Sequence, residues 1–187
     1  MSSKSQQSKS KETENDTSEY SRINKPFLRK INKILLLVLE ENKNLNNYQE
    51  KLSLQKNLIS TSYNKPSLSI LEYLERIQKY TEAEDNTIII GLMYIDRICE
   101  HSSIILTPYN IHRIVFVSIL LAIKYNEDTC FDFGFYAKVA GIPIKELKYL
   151  EREFIVLIRF HFYIGQGDFE KYKIYIDETM HDPDKKE

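Results

Sequence analysis

Glycine and proline are scarce in this sequence, five of each in 187 residues. A fold with many tight turns draws on both, so the shortage argues against a many-stranded β architecture and for long helices. Cysteine is nearly absent as well. Cys99 and Cys130 are the only two, they form no CxxC pair, and they read as free buried thiols in a reducing compartment. Charge of one sign is also lacking: 26 Lys and Arg stand against 27 Asp and Glu, a net of −1. A nucleic-acid binder normally carries a marked basic surplus, so no nucleic-acid partner is expected.

The longest apolar stretch, Ile114 to Ile123, falls well short of the ~20 residues that a membrane span requires. The first 16 residues are polar throughout and cannot serve as the apolar core of a secretory signal. The sequon Asn15-Asp16-Thr17 has no meaning without export. An intracellular chain, cytoplasmic or nuclear, with no membrane partner is expected. Neither GxxxxGK nor GxGxxG occurs, so no phosphate-cradling loop is indicated. The four histidines, His101, His112, His161 and His181, are scattered, with no HxxxH or HExxH spacing to hold a metal. Glu82, Glu84 and Asp85, and the pair Glu127-Asp128, read as dipole-complementing or solvated acids rather than a catalytic pair. No catalytic residue, metal site or cofactor follows, and the chain does not read as an enzyme.

What the sequence does have is apolar content, 42% of its residues, enough for one core. Residues 1–20 are nearly devoid of it and are expected to be a disordered tail. Phe27, Ile31, Ile34, Leu35, Val38 and Leu39 recur at spacings of three and four and describe one helix face. That helix either extends towards a partner or covers the core. It fades through an Asn-rich stretch into a weaker pattern at Leu52, Leu54 and Leu58, with a linker at about 60–66. Ile70, Leu71, Leu74, Ile77 and Tyr80 form an amphipathic helix for which Ser67 is a candidate N-cap.

A second helix over 85–100 and a third running to Lys124 are apolar on nearly every side. Thr107-Pro108 reads as the start of that third helix, Thr capping and Pro in the first turn. A helix apolar all round must be surrounded, so these two form the centre of an all-α cluster with no sheet. A short helix follows between Asp132 and Gly141. Another starts near Pro143 with Leu147, Leu150, Phe154, Leu157 and Ile158 on one face, then a break at Gly165-Gln166-Gly167, a short helix over 169–176 and a polar end.

Several separated motifs, in order, resemble the cyclin box. Tyr94-Ile95-Asp96-Arg97-Ile98 is similar to the end of its second helix, Leu121-Ala122-Ile123-Lys124-Tyr125 to the end of its third, and Leu150-Glu151-Arg152-Glu153-Phe154 to its fifth. Asn110-Ile111-His112-Arg113-Ile114, Tyr136-Ala137-Lys138-Val139 followed by Ala140-Gly141, and Glu146-Leu147-Lys148-Tyr149-Leu150-Glu151 resemble the P-type (phosphate-signalling, or U-type) group. So does the stretch 66–77 as a first helix.

The resemblance implies a single five-helix box over 66–165, an N-terminal helical extension and linker over 21–65, and a short helix with a polar tail over 166–187. It implies a regulatory subunit, without catalysis of its own, that binds and activates a cyclin-dependent Ser/Thr kinase in cell division or nutrient signalling. Lys124 and Glu151 fall on the family's kinase-gripping pair, and Tyr125 and Ile155 on its apolar contact positions. Lys124 also suits a plain role at a helix C-terminus, whereas Glu151 borders an apolar face and needs a partner. The alternatives are a cyclin-like transcription factor and a helical scaffold with no kinase. In one respect the sequence departs from many cell-cycle cyclins: Ser67 stands where their first helix has an arginine facing the aspartate, here Asp96. Arg113 is the expected replacement partner for Asp96.

Overall fold

The computed structural model describes residues 23–55, 61–62 and 64–178. The expected tail at 1–20, the polar end and part of the linker lie outside these residues. Among the described residues there are eight helices and no strand: α1 Lys25–Lys43, α2 Tyr48–Gln55, α3 Ile70–Thr81, α4 Asp85–His101, α5 Ile111–Asn126, α6 Phe133–Ala140, α7 Ile144–Leu157 and α8 Gln166–Glu178.

The two helices expected at the centre are there. Every residue of α5 from Ile114 to Ile123 is buried, and α3, α4, α6 and α7 all pack against it. α4 pairs most extensively with α5, and Gly91 makes their approach possible. A Cβ at Gly91 would stand 3.0 Å from Ile119 Cγ1 and 3.2 Å from Ile119 Cα. The missing side chain costs about 1 kcal/mol of helix propensity and lets two backbones meet.

Local signals fix the outer helices, not always at the expected residue. α3 is capped by Ser69, two residues after Ser67. Ser69 Oγ accepts from the Glu72 amide at 3.2 Å, and Glu72 accepts from the Ser69 amide at 3.0 Å. Only this serine has a glutamate three residues on, which closes the capping box. α6 begins after Asp132, whose carboxylate accepts from the amides of Gly134 and Phe135. It ends on Gly141, left-handed at φ 73°, as a helix stop favours.

Thr107-Pro108 forms a turn before the helix rather than its start. Thr107 Oγ1 accepts from the Tyr109 amide, the Asn110 side chain accepts from the Thr107 amide, and α5 opens three residues later at Ile111. The C-terminal break likewise lies earlier than the glycines suggested, since Gln166 and Gly167 are already in α8.

The N-terminal extension covers the core. Leu28, Ile31, Ile34, Leu35 and Leu39 are buried as α1 packs against α3 and α8. The weak pattern after it becomes a separate short helix, α2, anchored by Gln55. That buried side chain accepts from the Ile105 amide and the Asn110 carboxamide, both at 3.2 Å. Cys99 is half-buried and its thiol is pushed up to about 11, first by burial and then by the charges of Asp96 and Glu100. Cys130 is exposed, against the expectation that both thiols are buried, because it lies in the loop between α5 and α6.

Candidate functional site

α5 and α7 run side by side and bring Lys124 and Glu151 together. The ammonium and carboxylate meet at 2.5 Å, with 30% and 18% of the two side chains exposed. Lys124 Nζ also stands 4.1 Å from the centroid of the Phe133 ring, a cation–π distance. The pair is therefore held in place on a face that water still reaches. Lys124 is in the last turn of α5, so its charge complements the helix dipole too.

Apolar groups flank this pair. Tyr125 is 54% exposed and stacks on Phe162 at 5.2 Å. Ile155, one turn beyond Glu151, is half-buried and packs against the core. After α7 the chain reverses through Arg159 and Phe160, both in the left-handed region at φ 53° and 59°. Neither is a glycine, so this bend is strained and must be imposed by its surroundings. At the bend Phe160 is 68% exposed and beyond it Tyr163 76%, large aromatic surface displayed to solvent.

What imposes the bend comes from α4. Arg97 donates to the carbonyls of His161 at 2.6 Å and Tyr163 at 2.9 Å, and the Tyr94 hydroxyl donates to the carbonyl of Phe162 at 2.8 Å. Three successive carbonyls are thus held by two side chains three residues apart, on one helix face. Sequence reasoning quoted these residues without giving them this role. The available signal was the three-residue spacing of two long donor side chains at the end of an otherwise apolar helix.

The expected ion pair between Asp96 and Arg113 does not form. Asp96 looks to α8, where the Tyr172 hydroxyl donates to it at 2.7 Å. Arg113 looks to α7 and pairs with Glu146 at 2.6 Å, also donating to the Ser62 hydroxyl. The expectation supposed an enclosed carboxylate in need of a cation. Asp96 is exposed, and a neutral phenol suffices. Crowding by its neighbours still raises its pKa, an effect that the Tyr172 bond opposes and nearby Glu100 reinforces. Among the described residues no group of three or more His, Cys, Asp or Glu is placed to hold a metal ion. No helix there is long and apolar enough to cross a membrane.

The helix apolar on every side is wrapped by its neighbours, as the apolar pattern led one to expect, and it ends at a lysine–glutamate pair. The family model for cyclins matches residues 1–162, and the chain belongs to the cyclin family. It is 35% identical over 109 residues to Cyclin-U4-2 of Arabidopsis thaliana, covering 58% of this chain and 50% of that protein. To the PHO85 cyclin-like protein psl1 of Schizosaccharomyces pombe it is 38% identical over 117 residues, covering 62% and 48%. To Cyclin-P4-1 of Oryza sativa it is 30% identical over 117 residues, covering 62% and 55%. These similarities place it in the U- and P-type group. The chain spans about half the length of most of the curated relatives it matches.

Proposed function

We propose that this chain is the regulatory subunit of a cyclin-dependent Ser/Thr kinase, and that it activates the kinase by holding its regulatory helix in the active position. The observation that carries this reading is the Lys124–Glu151 pair, 2.5 Å apart and partly exposed, in a surround of displayed aromatics. Kinases orient ATP only when a lysine–glutamate pair joins their sheet to that helix. A partner that binds only the helix-in state shifts the population towards it, by as much as its preference for that state.

In this arrangement Lys124 and Glu151 exchange part of their mutual bond for hydrogen bonds to the kinase. Tyr125 and Ile155, with Phe160 and Tyr163 beyond them, supply apolar area of the kind that anchors interfaces. A stable complex of this type buries on the order of 2,000 Å² or more in total.

The test is affinity purification of the tagged full chain, followed by identification of bound kinases and assay of their activity on a generic substrate. A cyclin-dependent kinase, active in the eluate, should accompany the wild type. Glu151→Ala should lose it, since an unpaired partner charge costs roughly 2–5 kcal/mol of binding, while its melting curve stays unchanged. If that variant retains the kinase as well as the wild type does, Glu151 does not hold it.

A further inference from the structure

A cavity of about 160 Å³ lies where α1, α2, α4 and α8 meet the segment 104–106. Leu35, Leu92, Ile95, Ile104 and Leu106 make its apolar wall, and all five are buried. A space of this size lined by aliphatic side chains takes a body about as large as benzene. The wall atoms lack packing partners on the cavity side, and a fitting guest supplies them.

Polar bonds keep the walls from falling in. Asn42 of α1 donates to the Leu106 carbonyl at 3.0 Å, and Gln55 of α2 accepts from the Ile105 amide at 3.2 Å. Collapse of the segment 104–106 would leave these groups unsatisfied. The Tyr172 hydroxyl, also at the cavity, donates to Asp96 Oδ2 at 2.7 Å and ties α8 to α4.

Two opposite charges stand at the rim. Asp96 and Lys51 both line the cavity, the first exposed and the second half-buried, so this is its open side. Both act on Cys99 between the walls. Burial first, then Asp96 and Glu100, push that thiol up to about 11, while Lys51 draws it down. The thiol therefore stays protonated at neutral pH and is a neutral wall, not a nucleophile.

These features select the guest. Water suits the inner part poorly, since it needs several polar partners and meets carbon. A hydrocarbon fills the inner part but strips water from a carboxylate and an ammonium without replacing it. An amine answers Asp96 and is repelled by Lys51, and a carboxylate does the reverse. A zwitterion answers both, each end through a charge-assisted hydrogen bond. We propose that this cavity binds a free apolar α-amino acid of the size of leucine or phenylalanine. Its side chain enters between Ile95 and Leu106, its ammonium meets Asp96 Oδ1, and its carboxylate meets Lys51.

The experiment is an NMR titration of the full chain, with isotope-labelled Ile and Leu methyl groups, by L-leucine. Saturable shifts are expected at Ile95, Ile104 and Leu106, and none at Ile144, an exposed isoleucine of α7. Isopentylamine and isocaproate, which are leucine without its carboxylate and without its ammonium, should each bind about tenfold more weakly, a loss equivalent to about 1.4 kcal/mol. Lys51→Met keeps the stem and removes the charge. In this variant the order should invert, with isopentylamine binding more tightly than leucine, because nothing then repels the amine or holds the carboxylate. If the variant melts early, the three ligands on the wild type decide alone.

The lining shares no residue with the Lys124–Glu151 site and no kinase enters the titration, so a failure here is separable from a failure of the kinase reading. The proposal is overturned by any of four results. These are no saturable shift at the solubility limit of leucine, shifts spread to surface methyls such as Ile144, a ligand lacking one charge that binds the wild type as tightly as leucine does, or an unchanged ligand order in the folded Lys51→Met variant.

Discussion

Arg97 Nη1 stands 2.6 Å from the main-chain oxygen of His161, a residue 64 positions downstream. Through this bond and its neighbour to Tyr163, the end of α4 sets the course of the chain after α7. The strained residues Arg159 and Phe160 then keep their left-handed turn, and the aromatics beside the Lys124–Glu151 pair keep their display.

Arg97→Ala should therefore free the segment 159–164 without unfolding the protein. Hydrogen bonds from a charged donor contribute about 1.5–3 kcal/mol each at best, and the partial exposure of Arg97 puts the loss at the low end of that range or below it. Hydrogen exchange should show faster amides at 160–164 and unchanged amides within α5. Arg97→Lys, one charge without the fork, should recover only part of the protection.

Gly91→Ala tests the contact at the centre of the fold. Alanine gains about 1 kcal/mol of helix propensity over glycine. Its Cβ, however, would sit 3.0 Å from Ile119 Cγ1 and 3.2 Å from the Ile119 backbone, and backbone cannot rotate aside. Overpacking of this kind typically costs 1–3 kcal/mol, so the net effect is a loss of about 1 kcal/mol or somewhat more. Urea denaturation of the two proteins decides it. A more stable variant would mean that α4 and α5 separate more easily than their packing implies.

The same two helices show what could be read from sequence and why. Apolar residues on every side of 85–100 and of the helix running to Lys124 leave only a surrounded position, so the all-α centre was legible. The Ser69 cap was legible too, through Glu72 three residues on, although Ser67, directly after Pro66, offers the same capping side chain. The partners of Asp96 and Arg113 were not. Tyr172 follows Asp96 by 76 residues and Glu146 follows Arg113 by 33, and helix periodicity says nothing about which neighbour a side chain meets. Lys124 and Glu151 were placed by the family resemblance, since spacing alone left a terminal lysine with a plain explanation.

His112 makes stability depend on pH. Its Nε2 lies 2.8 Å from the Leu68 carbonyl, which can only accept, so Nε2 carries the proton. Its ring packs 5.1 Å from Tyr73. Burial lowers its pKa, against the Leu68 bond and helped by the charges of Arg113 and Lys65. Because the folded value lies below the unfolded one, the unfolded chain takes up the proton first. The contribution of His112 is thus full above the unfolded pKa of about 6.5 and is lost as pH falls from there through the lowered folded value. His112→Gln keeps a donor for Leu68 and should flatten this part of the curve. Urea midpoints between pH 5 and 8 check it, and equal slopes for the two proteins would remove His112 as the cause.

Tyr172→Phe addresses how α8 is held. The phenol bonds Asp96 at 2.7 Å, while another polar tie of α8, Lys30 to Asp177, is an exposed pair of the kind that contributes 0–1 kcal/mol. Loss of the hydroxyl should therefore cost about 1–2 kcal/mol, with α8 loosening before the centre does. The titration of Asp96 gives a sharper reading. Loss of water around the carboxyl already raises its pKa although the residue as a whole is exposed, and the Tyr172 bond is what opposes the rise, so the variant should move that pKa further up. If carbonyl-detected NMR finds the Asp96 pKa unchanged or lower while α8 amides exchange as in the wild type, the phenol is not what fastens α8 to α4.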